Sequence, residues 1–426
     1  MWPLWRSDTV CLQAPEQCRS ESRPRQPLDK NWSRQRMNTI STQFPEIVVL
    51  EDSKAFAALE EEWEELYRHC PSATPFQSWA WLYSWWEHYG EGRYELRLVT
   101  LRSEEGLLVG LIPLMLERRW GFGFGRLLFV GTYHTGYNDL LVREGWEDGV
   151  ANAAGRALKE LPGWQVANLH LLRPEAAAWD AFQRWDGHRI KIWQESCPVV
   201  EVRPWDELVA SLSKNHRSTV RRALRRAQAD KLSRWQVGPE EAERAARQLV
   251  ALHRELWRGR DILPGRLTER WGSFVGAAFP RMMDRGLAGI SEFRRDGEVL
   301  ISLSWIFGQD FVGFFNSGAN REALQRYQWS SLLIWEGLNI AHERNNACLD
   351  LLRGEEPYKL RWASGMIPCD RAILGRNLLF WMPHAAFHVL RSRAKRSVRS
   401  DSTSQWTKRT VRQLNNFRKL LKNRGS

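Results

Sequence analysis

The densest set of chemically capable side chains lies between Asp350 and Trp362, which read Asp-Leu-Leu-Arg-Gly-Glu-Glu-Pro-Tyr-Lys-Leu-Arg-Trp. An apolar segment, Cys348–Leu352, runs straight into a polar cluster punctuated by Gly354 and Pro357. That pattern predicts a strand followed by an ordered loop, and strand ends in open α/β sheets are where ligands usually sit. Tyr358 and Lys359 are suited to contact a carbonyl or phosphate, or to move a proton; the plainer alternative is solvation of a strand edge. Arg353 and Glu355 either meet a ligand or form an ion pair that shapes the loop. His253 is a third candidate for catalysis, set against a hydrogen-bonded histidine in an apolar helix face. Lys214, Arg217, Arg221, Arg222, Arg225 and Arg226 fall on one predicted helix. Like charges at i,i+4 mildly oppose a helix, so either a phosphate-bearing partner meets Arg221 and Arg225 or the face is simply solvated. No Ser-His-Asp, Cys-His or metal-ligand spacing is present, so neither a covalent nor a metal-assisted route is expected.

The elements that must hold these residues recur in order. In the first half, Glu95–Arg102 and Leu107–Leu116 predict a hairpin around Ser103-Glu-Glu-Gly106, followed by a strand at Arg126–Gly131. A helix over about 148–161 and a strand Val166–Leu172 complete the unit. In the second half, Ala288–Arg294 and Val299–Phe307 flank Asp296-Gly297, a strong hairpin signal. A strand near Asp310–Ser317, a helix over about 322–344 and the strand Cys348–Leu352 follow. Helices are also predicted over about 53–69, 204–231 and 240–257 from their apolar spacing. Two copies of a β-β-β-α-β unit are implied.

Composition bounds the class. The chain of 426 residues exceeds one ordinary core, and 43% hydrophobic with 26% charged residues is globular. The longest apolar stretch, Leu107 to Leu116, is about half of the ~20 residues a membrane crossing needs. Six scattered cysteines form no CxxC pair, which favours a reducing cytoplasm over a disulfide framework. The net charge of +12 is concentrated beyond residue 390, where Asp401 is the only acid among many Lys and Arg. The body is nearly neutral, which argues against a whole-protein nucleic-acid binder. Val411, Leu414, Phe417 and Leu421 give the tail a helical apolar spacing suited to an anionic membrane surface; a disordered solubilising tail is the alternative, and RNA contact a smaller one.

The strand-end motif resembles that of the CelD-like branch of GNAT acyltransferases, associated with cellulose biosynthesis and related to the FemABX aminoacyltransferases. Phe76-Gln-Ser-Trp79-Ala-Trp81, Gly110-Leu-Ile-Pro113-Leu, the basic helix and Leu252-His253 with Trp257 fall in the same order as in that branch. The resemblance spans roughly 45–375 and implies a mixed α/β fold of tandem GNAT-like domains, at 37–200 and 201–378. Residues 1–36 are expected to be disordered or to precede a start at Met37, and 379–426 to form a basic helical or disordered tail. The family implies direct acyl transfer from acyl-CoA to an amine or hydroxyl, with a surface-polysaccharide precursor as acceptor. Transfer from charged tRNA, or a silent scaffold, are the alternatives. By the same resemblance, Gln328, Ser330, Ser331 and Arg353 would bind the cofactor, Tyr358, Lys359 and His253 would catalyse, and Arg221, Arg225, Glu355 and Trp362 would bind substrate. No metal is implied. The family's phosphate loop normally carries glycine where this chain has Ser330. The protein is expected in the cytoplasm, with peripheral membrane contact through the tail.

Overall fold

A computed structural model describes residues 44–119, 124–258 and 268–400. Residues 1–36 and the tail segment Val411–Leu421 discussed above lie outside them. Thirteen strands form one mixed sheet: β1 Glu46–Leu50, β2 Glu95–Arg102, β3 Leu108–Arg119, β4 Phe124–Phe129, β5 Leu141–Val142, β6 Val166–Leu172, β7 His188–Glu201, β8 Ser233–Gln236, β9 Ala288–Arg295, β10 Glu298–Phe307, β11 Phe311–Ala319, β12 Cys348–Asp350 and β13 Gly365–Gly375. Their spatial order is β1-β2-β3-β4-β6-β13-β7-β12-β11-β10-β9-β8, with β5 beside β3.

Read outward from its centre, this order is nearly the same in both directions. Each half has an antiparallel run that ends in a short parallel pair, β4 with β6 in the first and β11 with β12 in the second. The middle is where the halves interlock. β13, from the end of the second half, pairs with β6 of the first, while β7, from the first, pairs with β12 of the second. β7 and β13 also pair with each other along Gly365–Gly375. The sheet is therefore continuous across any cut made near residue 200.

Helices cover both faces. On one face Trp79–Trp85 meets Glu269–Asp284, with Trp81 edge-on to Phe274 at 4.9 Å between ring centres. One apolar cluster on this face draws residues from both halves. The other face carries two separate clusters, under Glu147–Glu160 in the first half and under Trp329–Glu343 in the second. The latter helix lies very close to the sheet at Gly337, where an added Cβ would fall 2.7 Å from Leu349 Cδ1.

The predicted elements hold with local breaks. The Asp296-Gly297 turn has φ of 53° and 83°, the left-handed pair that a two-residue hairpin requires. The helix expected over 322–344 divides into Arg321–Arg326 and Trp329–Glu343, because Tyr327 is extended and Gln328 starts the second helix. The one expected over 204–231 divides into Trp205–Ser211 and Lys214–Ala229, with extended Leu212 between them and Ser213 capping the second. Beyond Gly375, residues Leu378–Ser400 form one helix through Pro383. It is docked on the sheet: Trp381 Nε1 donates to Ile373 O at 3.2 Å, and Ser392 Oγ to Trp193 O at 2.7 Å.

Candidate functional site

The strand pair β11–β12 decides where a ligand can enter. Its register runs Phe311 with Cys348, Val312 with Leu349 and Gly313 with Asp350, and there the pairing ends. β11 continues to Ala319, so among the described residues Phe314 onward has a strand partner only on its β10 side. The β10–β11 register also shifts here, Ser304 facing Asn316 and Trp305 facing Phe314, which bulges Phe315. Bulges of this kind redirect side chains and end pairing. Phe315 turns onto Phe76, Trp81 and Phe279.

Asp350 sits at the point of parting and is fully buried. Its Oδ2 accepts the Tyr137 hydroxyl at 2.5 Å, and its Oδ1 accepts the Leu352 N–H at 2.7 Å. Leu352 adopts φ of 52°, a left-handed conformation costly for leucine and held here by that carboxylate. Burial pushes the Asp350 carboxyl up to about 6; the bonds from Tyr137 and Leu352 and the charges of Arg173 and Lys359 pull the other way. Burial, and then the charge of Asp350, push the Tyr137 hydroxyl well above its ordinary range. Two further groups lie on β10 and β11. Asn316 Nδ2 and Ser302 Oγ are buried and have no hydrogen-bond partner among the described residues. Ser302 pairs with Gly318, whose missing side chain lets helix Ala242–Trp257 approach: an added Cβ would lie 2.6 Å from the His253 nitrogen.

The sequence candidates divide into groups. Lys359 is buried, donates from Nζ to Arg353 O at 2.7 Å and lies 3.2 Å from Glu356 Oε2. Arg353 donates to Glu195 Oε1 at 2.9 Å and Thr135 O at 3.4 Å, tying the loop to the first half. Glu355 is half-buried in the same loop. Tyr358 lies on the short helix Pro357–Leu360, its ring 5.2 Å from that of Trp329. This brings Tyr358 and Lys359 beside the start of helix Trp329–Glu343, where Gln328 is the N-cap and Ser330 and Ser331 are buried. His253 is on another element and donates from Nδ1 to Ser317 O at 2.7 Å. Trp362 is buried in the apolar cluster against Trp205 and His216, with no open surface for a substrate. Arg221 and Arg225 are exposed on Lys214–Ala229.

Electrostatically, the two helices that connect the strands of the parallel pairs differ. Glu147–Glu160 carries Glu147 and Asp148 in its first turn, whereas Trp329–Glu343 carries no acid there, and the Gln328 side chain makes no capping bond. The positive end of a helix dipole is thus neutralised in the first half and open to an anion in the second.

Residues 214–360 match the family model of the acetyltransferase (GNAT) domain. The crystal structure of FemX is similar over 77% of this chain and 96% of its own, with a TM-score of 0.51 at 11% identity. A conserved protein of unknown function from Bacteroides thetaiotaomicron VPI-5482 is similar over 77% of this chain and all of its own, with a TM-score of 0.50 at 9% identity. No curated protein matches the sequence. The fold is a mixed α/β sheet of two similarly ordered halves, the second of which contains the GNAT-domain match.

Asp350, Tyr137, Asn316 and Ser302 were not among the sequence candidates. Asp350 had a readable signal, a carboxylate inside the apolar run Cys348–Leu352, which cannot be buried without donors. Tyr137 had none, because it reaches Asp350 only through the fold.

Proposed function

We propose that the second half of the chain transfers an acyl group from an activated carrier to an amine or hydroxyl, in a branch of GNAT enzymes that includes the CelD-like proteins. The observation that carries this reading is the parting of β11 and β12 at Asp350 beside an acid-free helix N-terminus. The free side of β11 fits an extended carrier arm, and the first turn at Trp329–Ser331 fits its phosphate end, so acyl-CoA suits the residues present. Bound there, acyl-CoA would supply the activated carbonyl.

The chain's own groups would do the rest. Asn316 Nδ2 is free to donate to the acyl oxygen as it gains charge, and a buried donor held in place does this without reorganisation. Tyr137 would relay the proton: it accepts one from the attacking amine or hydroxyl while passing its own to Asp350, the carrier's C–S bond breaks as the new C–N or C–O bond forms, and the departing thiolate takes a proton from water. Lys359 and Arg353 hold the loop after β12, and Tyr358 shields the carrier end by covering Trp329. His253 fixes the Ser317 carbonyl.

A surface-polysaccharide precursor remains the proposed acceptor. A second reading, transfer from charged tRNA, is favoured by the exposed Arg221 and Arg225. The test is thermal melting with acetyl-CoA and with charged tRNA, followed by thiol release on mixing acetyl-CoA with sugar amines. A rise in melting temperature with acetyl-CoA alone supports the first reading, and a rise with tRNA alone the second. Stabilisation by neither would leave the fold as a non-catalytic scaffold.

A further inference from the structure

The helix Leu378–Ser400 exposes apolar side chains while burying polar ones. The side it turns to the sheet carries His384, His388, Ser392 and Lys395 beside apolar Trp381, Ala385 and Val389. Asn168 Nδ2 lies 3.2 Å from His384 Nε2 and 3.4 Å from His388 Nε2, and Lys395 Nζ donates to Gln194 O at 3.1 Å. The side turned to solvent is apolar for more than three turns: Leu378, Leu379, Met382, Pro383, Ala386 and Leu390 are all exposed. Leu379 is 71% exposed, Leu390 60% and Met382 57%. A surface helix normally turns residues of this kind inward. Of the large exposed apolar residues among those described, this one helix carries more than half, with Phe380 adding to the patch beside Phe124. Contiguous apolar surface of this kind marks an interaction site.

Charge indicates what covers it. No acidic residue occurs between Asp370 and Asp401, while Arg391, Arg393 and Arg396 follow the stripe, Arg393 and Arg396 being exposed; Arg376, which precedes it, is held by the carbonyls of Leu158, Lys159 and Leu161. An apolar stripe flanked by cations and free of anions complements a surface with an apolar interior and a negative boundary. No described helix is long and apolar enough to cross a membrane, so the helix would lie along the surface. We propose that the outward face of Leu378–Ser400 docks the protein on an anionic lipid bilayer, Leu379, Met382 and Leu390 entering the acyl boundary and the exposed Arg393 and Arg396 meeting lipid phosphates.

The experiment is flotation of the full chain with vesicles of phosphatidylcholine alone or with a third phosphatidylglycerol, comparing wild type with Leu379→Glu/Met382→Glu. Both side chains point to solvent, so the double variant should melt as wild type does. Wild type should float with the anionic vesicles only, and the variant's partitioning should fall about tenfold or more. An environment-sensitive dye on Met382→Cys should shift to the blue with anionic vesicles. Equal flotation of variant and wild type would overturn the proposal in favour of attachment by the basic residues alone. A variant that floats normally but loses self-association would overturn it in favour of a second copy of this chain.

Discussion

The two halves share a strand order yet differ in what they place at matching positions. Val166 and Cys348 open the two parallel pairings, so Asn168 on β6 and Asp350 on β12 correspond. Asn168 is bonded to Arg371 and lies under the histidines of Leu378–Ser400, closed from both sides. Asp350 meets a tyrosine at the end of an unpaired stretch of sheet. The helix that leads into this strand begins with two acids in the first half and none in the second. β3 is apolar where it crosses the core, whereas β10 carries buried Ser302 and Ser304. At these matched positions the first half is closed by packing, whereas the second keeps a buried carboxyl and a Ser302 hydroxyl unpaired among the described residues.

The difference between the halves is largest at Asp350. Asp350→Asn should lower turnover by about 10²- to 10⁴-fold, the usual worth of a positioned base, while the melting temperature at pH 8 does not drop, because a buried charge is removed. Asn168→Asp in the first half should leave turnover close to that of wild type, because Asn168 is buried under Leu378–Ser400 away from the chemistry. Equal losses at both would erase the distinction. Next in size is the helix packing. Gly337→Ala should destabilise by about 1–3 kcal/mol through overpacking against Leu349. Gly155→Ala, in the matching helix of the first half, has its nearest neighbour 3.5 Å away and should be neutral or stabilise by about 0.5–1 kcal/mol. Urea titration of both checks this.

Ser330→Glu would give the second helix the acidic start of the first. Acetyl-CoA affinity by calorimetry should fall about tenfold from charge repulsion at the helix end, with the melting temperature of the unliganded variant as reference. Glu147→Gln should have no such effect. The smallest effect is on pH. Asp350 holds its proton more tightly folded than unfolded, so its contribution to stability is present below pH ~4, declines as pH rises, and is lost above about 6. Asp350→Asn should flatten that part of the stability profile. Activity should rise over the same interval as the carboxylate becomes available.

Local chemistry made much of this fold legible. Asp296-Gly297 specified its hairpin, and Val166–Leu172 read as a strand because every second residue and its neighbours suited a sheet buried on both faces. The strand-end motif located the right region, since a polar run after an apolar strand must be ordered or solvated. Trp362 misled because an aromatic beside charged residues looks available until its packing is seen. What stayed hidden depends on distant pairing: β7 and β13 adjoin across the whole second half, and Tyr137 finds Asp350 by the same route. The histidines of Leu378–Ser400 were equally unreadable, since only the sheet beneath shows which side of that helix faces in.

The interlocked centre sets an order of assembly. A chain emerging from the ribosome completes β6 long before β13 exists, and until residue 375 is made the edge of β6 has no partner on that side. Domains usually fold as units while synthesis continues, but here the first half must wait, presenting an open strand edge that invites pairing with another chain. β7 likewise waits for β12 and β13. Closure of the sheet is therefore a late event, coupled to synthesis of β13, and translation stalled before that point would leave both halves open at the same seam.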